Sequence, residues 1–91
     1  MQSVKDILSV LDTDNTAKNE VENKLVNIGS RAVPELVKEL QIVRGIKRGV
    51  VAMTLIRIGS ASVDALKEAA SANKDFEWVA QYLIKEIVQA A

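Results

Sequence analysis

Ninety-one residues, 48% hydrophobic and only 3% aromatic, bound the chain to a single small domain (1–91) whose core must be Leu, Ile, Val and Ala. Cysteine and histidine are both absent, which excludes disulfides, thiol nucleophiles, histidine general bases and ordinary zinc sites. The 12 basic and 12 acidic side chains balance, at −1 over residues 1–45 and +1 over 46–91, so no overall field draws the chain to nucleic acid or to an anionic membrane.

Apolar spacing predicts six helices. Val4, Ile7, Leu8 and Leu11 follow the i, i+3, i+4, i+7 rule and mark a first helix over about 3–11. Asp12-Thr13-Asp14-Asn15-Thr16 is a polar break rich in helix-capping residues. A second helix, with Val21, Leu25 and Ile28 inward, ends at Gly29. A third carries Val33, Leu36, Val37 and Leu40, with Pro34 in its first turn, where a missing N–H costs nothing. After Gly45 a fourth carries Ile46, Val50, Val51, Leu55 and Ile58 up to Gly59. Val63, Leu66, Ala69 and Ala70 mark a fifth; polar residues 71–75 lead to a sixth with Val79, Leu83, Ile84, Ile87 and Val88 inward. No segment alternates with period two, so no strand is expected. The charged opening Met1-Gln2-Ser3-Val4-Lys5-Asp6 leads into no long apolar stretch. Neither a signal peptide nor a membrane span is expected, and the expected location is the cytoplasm.

A period of thirty residues organises these helices. Ile28-Gly29-Ser30 recurs as Ile58-Gly59-Ser60, with Leu25/Leu55, Val33/Val63 and Leu36/Leu66 in register around it. The register extends outward, Val4–Leu11 aligning with Val33–Leu40 and Val51–Arg57 with Val79–Lys85. An inner helix type (first, third, fifth) therefore alternates with an outer type (second, fourth, sixth). Repeats of this size stack into solenoids, each unit burying its apolar face on the next.

The string from Leu25 to Leu40, Leu25-Val26-Asn27-Ile28-Gly29 through Ala32-Val33-Pro34-Glu35-Leu36 to Leu40, resembles a HEAT-like repeat, closest to the subtype named after phycobilisome lyases. Leu55–Gly59 through Val63 and Leu66 is a second match, and with the outlying half-repeats the resemblance covers nearly the whole chain. It implies an all-α, short right-handed α-α superhelix of about six antiparallel helices in three hairpins, with partners bound on the inner helices. The family's usual aspartate before the outer helix is missing from Val43-Arg44-Gly45-Ile46-Lys47-Arg48; Arg48 falls near its arginine position, with Lys18 and Phe76 at the equivalent places.

Two surfaces are candidate partner sites. The inner helices offer Lys5, Ser9, Glu35, Lys38, Asp64 and Glu68, a mixed-charge face that is either a binding surface or an ordinary solvated one. Trp78 and Tyr82, four apart on the sixth helix, either fold over the open end of a thin core or wait for a partner, a second copy included. Arg44-Gly45-Ile46-Lys47-Arg48 could hold phosphate at a helix N-terminus, but no aromatic platform accompanies it. Asp12–Thr16 imitates a calcium loop but lacks its glycine and closing glutamate, with Ala17 and Asn23 in those places, and Gly45–Gly49 is too short for a P-loop. The pairs Asp12/Asp14 and Glu20/Glu22 are spaced i, i+2 and share no helix face.

The expected function is a non-catalytic protein-protein interaction module, with no metal and no cofactor. The alternatives are a small relative of phycobilin lyase subunits working with a partner protein, and phosphate or nucleic-acid binding through the Arg44–Arg48 cluster.

Overall fold

Gly29 and Gly59 adopt nearly the same backbone conformation, φ 76°, ψ −146° and φ 85°, ψ −139°. This region of dihedral space is open to glycine and essentially closed to every residue with a Cβ. At each corner the glycine N–H donates to a leucine carbonyl four residues back, Leu25 or Leu55. The N–H of Val33 or Val63 then donates to Ser30 or Ser60. The thirty-residue sequence period is thus a repeated backbone corner. In the second copy the buried Ser62 hydroxyl adds a bond across it, donating to the Leu55 carbonyl at 2.9 Å; the first copy has Ala32 in that place.

The structure, a computed structural model, describes residues 2–90, and these contain helix and no strand. The α-helices are α1 (Val4–Leu8), α2 (Lys18–Ile28), α3 (Val33–Leu40), α4 (Ile46–Ile58), α5 (Val63–Ala72) and α6 (Glu77–Ala90). Short 3₁₀ segments extend or enter them: Ser9–Asp12 after α1, Asn15–Ala17 before α2, Gly29–Ala32 and Gly59–Ser62 at the corners, and Lys74–Phe76 before α6. Because the corners are themselves 3₁₀ turns, one helical segment follows another without a gap through 15–40 and 46–72, with Gly29 and Gly59 departing from helical φ, ψ. The chain forms four continuous helical stretches, 4–12, 15–40, 46–72 and 74–90, where six separate helices were expected.

These segments lie in two rows. α1 packs on α3 and α3 on α5; α2 packs on α4 and α4 on α6; α1 with α2, α3 with α4 and α5 with α6 close the space between the rows. Leu25, Leu36, Leu55 and Leu66, the leucines the period pairs, are completely buried there. Burying each of them contributes roughly 1.5–3 kcal/mol. The overall dimensions are 33 × 26 × 23 Å, with a radius of gyration of 12.2 Å, as expected of a compact chain of this length.

Polar contacts tie successive copies along the edges. Lys47 pairs with Asp12 at 2.9 Å, Asn73 donates to Gln41 at 3.2 Å, and Arg57 reaches Glu22 and Asn23 at 2.8 Å each. The turns before α2 and α6 are closed by the side chains of Asp14, which accepts from the Thr16 N–H, and Asn73, which accepts from the Asp75 N–H. The Thr16 hydroxyl, with that N–H, holds the Asp14 carboxyl below its ordinary value. The corresponding N-cap of α4 is Gly45, with no side-chain cap.

Three expectations need correction. Ile46, expected in the core stripe of the fourth helix, is 42% exposed, because α4 begins at that residue and turns it outward. Val88 is 63% exposed, since the buried stripe is Ala80, Leu83 and Ile87 of α6 with Phe76 of the turn before it, one that leaves Val88 to the side. The stretch 46–72 is long and apolar enough, by length and composition alone, to cross a membrane, although no such run was expected. It holds the non-helical Gly59 at its middle, and it buries Val50, Val51, Thr54, Leu55 and Leu66 inside the fold.

Two glycine substitutions separate the corner from the helix. Gly59→Ala forces a Cβ into the positive-φ corner and is expected to destabilise the chain by about 1–3 kcal/mol. Gly49 lies within α4, where an added Cβ meets nothing within 4 Å. Gly49→Ala is expected to stabilise by about 0.5–1 kcal/mol through helix propensity. Urea denaturation of both variants checks the opposite signs.

Candidate interaction surface

Helix α6 divides its side chains between two opposite faces. Phe76, Ala80, Leu83 and Ile87 are buried against the stack. At about 100° per residue, the midpoint between Trp78 and Tyr82 lies directly opposite Ala80. Both rings stand in solvent, Trp78 82% and Tyr82 62% exposed. The rings therefore do not fold over the end of the core; of the two readings open from sequence, the structure removes that one. A large amphipathic ring left on the surface is the residue type most enriched at the energetic centres of protein interfaces.

Beside this face an open groove of about 670 Å³ runs between α5 and α6 at the end of the stack. Its floor is Ala70, Ala80, Ile84 and Val88, and Lys67, Glu77 and Lys85 stand at its rim. The register explains its shape. Val4, Leu8 and Leu11 of the first copy and Val33, Val37 and Leu40 of the second are all buried in the stack, where α1 packs on α3 and α3 on α5. The third copy has Val63, Lys67 and Ala70 in these places, with Lys67 exposed and the other two half-buried. A lysine and an alanine at the last inner helix do not offer the bulk that seats another inner helix, so this groove is a poorer stacking surface than the ones inside.

The inner-helix residues are distributed along the α1–α3–α5 row. Ser9, Lys38 and Glu68 hold the same register position in the three copies and all are exposed. Ser9 is occupied locally, its hydroxyl donating to the Asp6 carbonyl at 2.6 Å. Lys5 and Glu35 are brought together, with the Lys5 backbone N–H donating to the Glu35 carboxylate at 3.3 Å. Glu35 is half-buried by this contact, whereas Lys5 and Asp64 are exposed. Of the candidate residues, Lys5, Lys38, Asp64 and Glu68 are thus exposed charges outside any ion pair among the described residues, two of each sign.

The remaining candidates are largely spent on the fold. Lys47 is paired with Asp12, and Arg44 and Arg48 border a cleft that also contains Asp75, so the basic cluster is offset by nearby carboxylates. Of the carboxylates considered for catalysis, Asp12 meets Lys47, Asp14 closes its own turn and Glu22 meets Arg57. Among the described residues no group of three or more acidic side chains is placed to hold a metal ion. Two residues that carry the site's support went unnoticed in sequence: Ser62, which braces the Gly59 corner, and Thr54, completely buried with its hydroxyl donating to the Val50 carbonyl at 2.6 Å. The Ala32/Ser62 difference between otherwise parallel copies was the available signal for the first.

Compared with known proteins, the chain matches no family model, no curated protein and no solved structure.

If the two rings are free of the core, removing them leaves the fold intact. Trp78→Ala and Tyr82→Ala are each expected to change the unfolding free energy by less than about 0.5 kcal/mol, as for ordinary surface substitutions. Thermal or urea unfolding measures this directly; a loss of 2 kcal/mol or more, on the order of a core truncation, would place the rings inside the fold.

Proposed function

We propose that the chain is a non-catalytic protein-protein interaction module of HEAT-like kind, a short right-handed α-α superhelix of three hairpins acting in the cytoplasm. The two rows of helices and the repeated Gly29/Gly59 corner support the architecture. The observation that carries the function is the exposed pair Trp78 and Tyr82 on the face of α6 opposite its buried stripe. A rigid two-row stack holds that face in place, so a partner meets preset rings and loses little entropy in ordering them. The α1–α3–α5 row, with Lys5, Ser9, Glu35, Lys38, Asp64 and Glu68, is a second and more polar contact surface. Phosphate or nucleic-acid binding is not favoured, since Lys47 is committed to Asp12.

Site-specific photocrosslinking tests the reading. A benzophenone side chain at position 82 is expected to capture a discrete protein adduct in cells, and the same group at the exposed Asn19 of α2 is not. No adduct at position 82, or the same adducts at both positions, would contradict it.

A further inference from the structure

The solvent face of α6 carries its charges sorted by side. The midline of that face, opposite Ala80, passes between Trp78 and Tyr82 and on to the exposed Gln89. At about 100° per residue, Lys74 and Lys85 fall about 40–60° to the Trp78 side of that line, and Asp75 and Glu86 as far to the Tyr82 side. Lys74 and Asp75 belong to the 3₁₀ turn that opens the helix, and Phe76 beside them stays on the buried stripe, which keeps them on these sides. Lys74, Asp75 and Lys85 are exposed and Glu86 is half-buried. None of the four forms an ion pair within its own chain among the described residues. The face is therefore two rings between a basic edge and an acidic edge. A base and an acid stand level at the start of the helix and again about three turns further on.

We propose that this face receives a second copy of the chain, its α6 lying parallel and face to face with the first, about a two-fold axis that runs along the two helices. The proposal rests on the reading of α6 as the interaction surface and specifies what occupies it. The sorted charges select the orientation. Two helices that face each other in parallel bring unlike edges together at the same level. Lys74 then meets Asp75 of the other copy, and Lys85 meets its Glu86, each pair occurring twice by symmetry. An antiparallel pair about a two-fold axis would set basic edge against basic and acidic against acidic, and like charge opposes it. Along the axis, Trp78 and Tyr82 meet the same rings of the other copy as successive layers, and Gln89 follows them on the midline. Residues spaced in this way line the seam of a parallel coiled coil. A closed two-fold contact uses the same patch on both copies, so a single exposed face is enough to satisfy it.

The rings supply most of the contact and the ion pairs set its direction, because exposed pairs contribute little each. One helix from each copy makes an interface at the small end of the specific range, under about 1,200 Å², so the association is expected at micromolar concentrations or above.

Sedimentation equilibrium from about 1 μM to 1 mM tests the proposal. The wild-type chain is expected to pass from the 9.9 kDa monomer to twice that mass. Asp75→Lys with Glu86→Lys makes both edges basic, and Lys74→Glu with Lys85→Glu makes both acidic. Each double variant alone is expected to weaken self-association about tenfold or more. An equimolar mixture of the two is expected to recover the wild-type association, which no folding defect could produce. Trp78→Ala is expected to weaken it at least as much. Direction is read separately, because the chain has no cysteine of its own. Gln89→Cys is expected to oxidise to a disulfide-linked dimer, since a parallel pair sets position 89 beside itself and an antiparallel pair does not. A wild-type chain that stays monomeric throughout, while position 82 still crosslinks to another protein, would overturn the second copy and leave the interaction surface standing. A dimer whose affinity ignores both charge variants, or one in which Cys at position 89 stays reduced, would overturn the parallel α6 arrangement.

Discussion

The fold depends on a corner that only glycine can make. An outer helix must end and an inner helix begin within four residues, with the two axes diverging enough to stand in separate rows. Gly29 and Gly59 do this at positive φ, and a hydrogen bond to the leucine carbonyl of the preceding turn locks each corner. With the corners set, the distance from Leu25 to Leu36 repeats from Leu55 to Leu66, and all four side chains arrive in the space between the rows. Core, register and the direction of α6 follow from that placement. Small chains have little apolar surface to spare, so a displaced corner would expose a large share of what holds this one together.

The stack also explains why an apolar surface remains. The inner stripe is buried in the first two copies, and in the third Lys67 and Ala70 replace the bulk of Val37 and Leu40. The series is blunted on that side by charge and small size. On α6 the outer surface is not blunted, and Trp78 and Tyr82 remain exposed. A helix with its core stripe fully satisfied by Phe76, Ala80, Leu83 and Ile87 has no folding reason to carry two large rings on the opposite side. Their placement there is the observation on which the proposed interaction face rests.

Much of this was legible in the residues. The period at Ile28-Gly29-Ser30 and Ile58-Gly59-Ser60 located both corners, and the inner stripe Val4, Leu8, Leu11 was read correctly because its helix is buried along one narrow face. Division into separate helices was not legible, since a 3₁₀ turn continues a helix through a glycine that pattern alone reads as a stop. On α6, Leu83 and Ile87 are buried and Val79 and Ile84 pack against the core as expected, but Val88 is exposed and the fully buried Ala80 was passed over because hydrophobicity ranks it low. Trp78 and Tyr82 were found as candidates, but hydrophobicity could not say whether large rings go inward or outward; only the position of Ala80 decides it. Ser62 and Thr54 escaped because a buried hydroxyl resembles a surface one until its acceptor is known.

Trp78 is the chain's single tryptophan, which makes its own fluorescence the most direct probe of the account. Acrylamide quenching of that emission in dilute protein reads the ring's access to solvent. The account predicts a fully accessible ring, since Trp78 stands 82% exposed on the face of α6 opposite Ala80. A shielded ring would put Trp78 inside the fold and contradict the account.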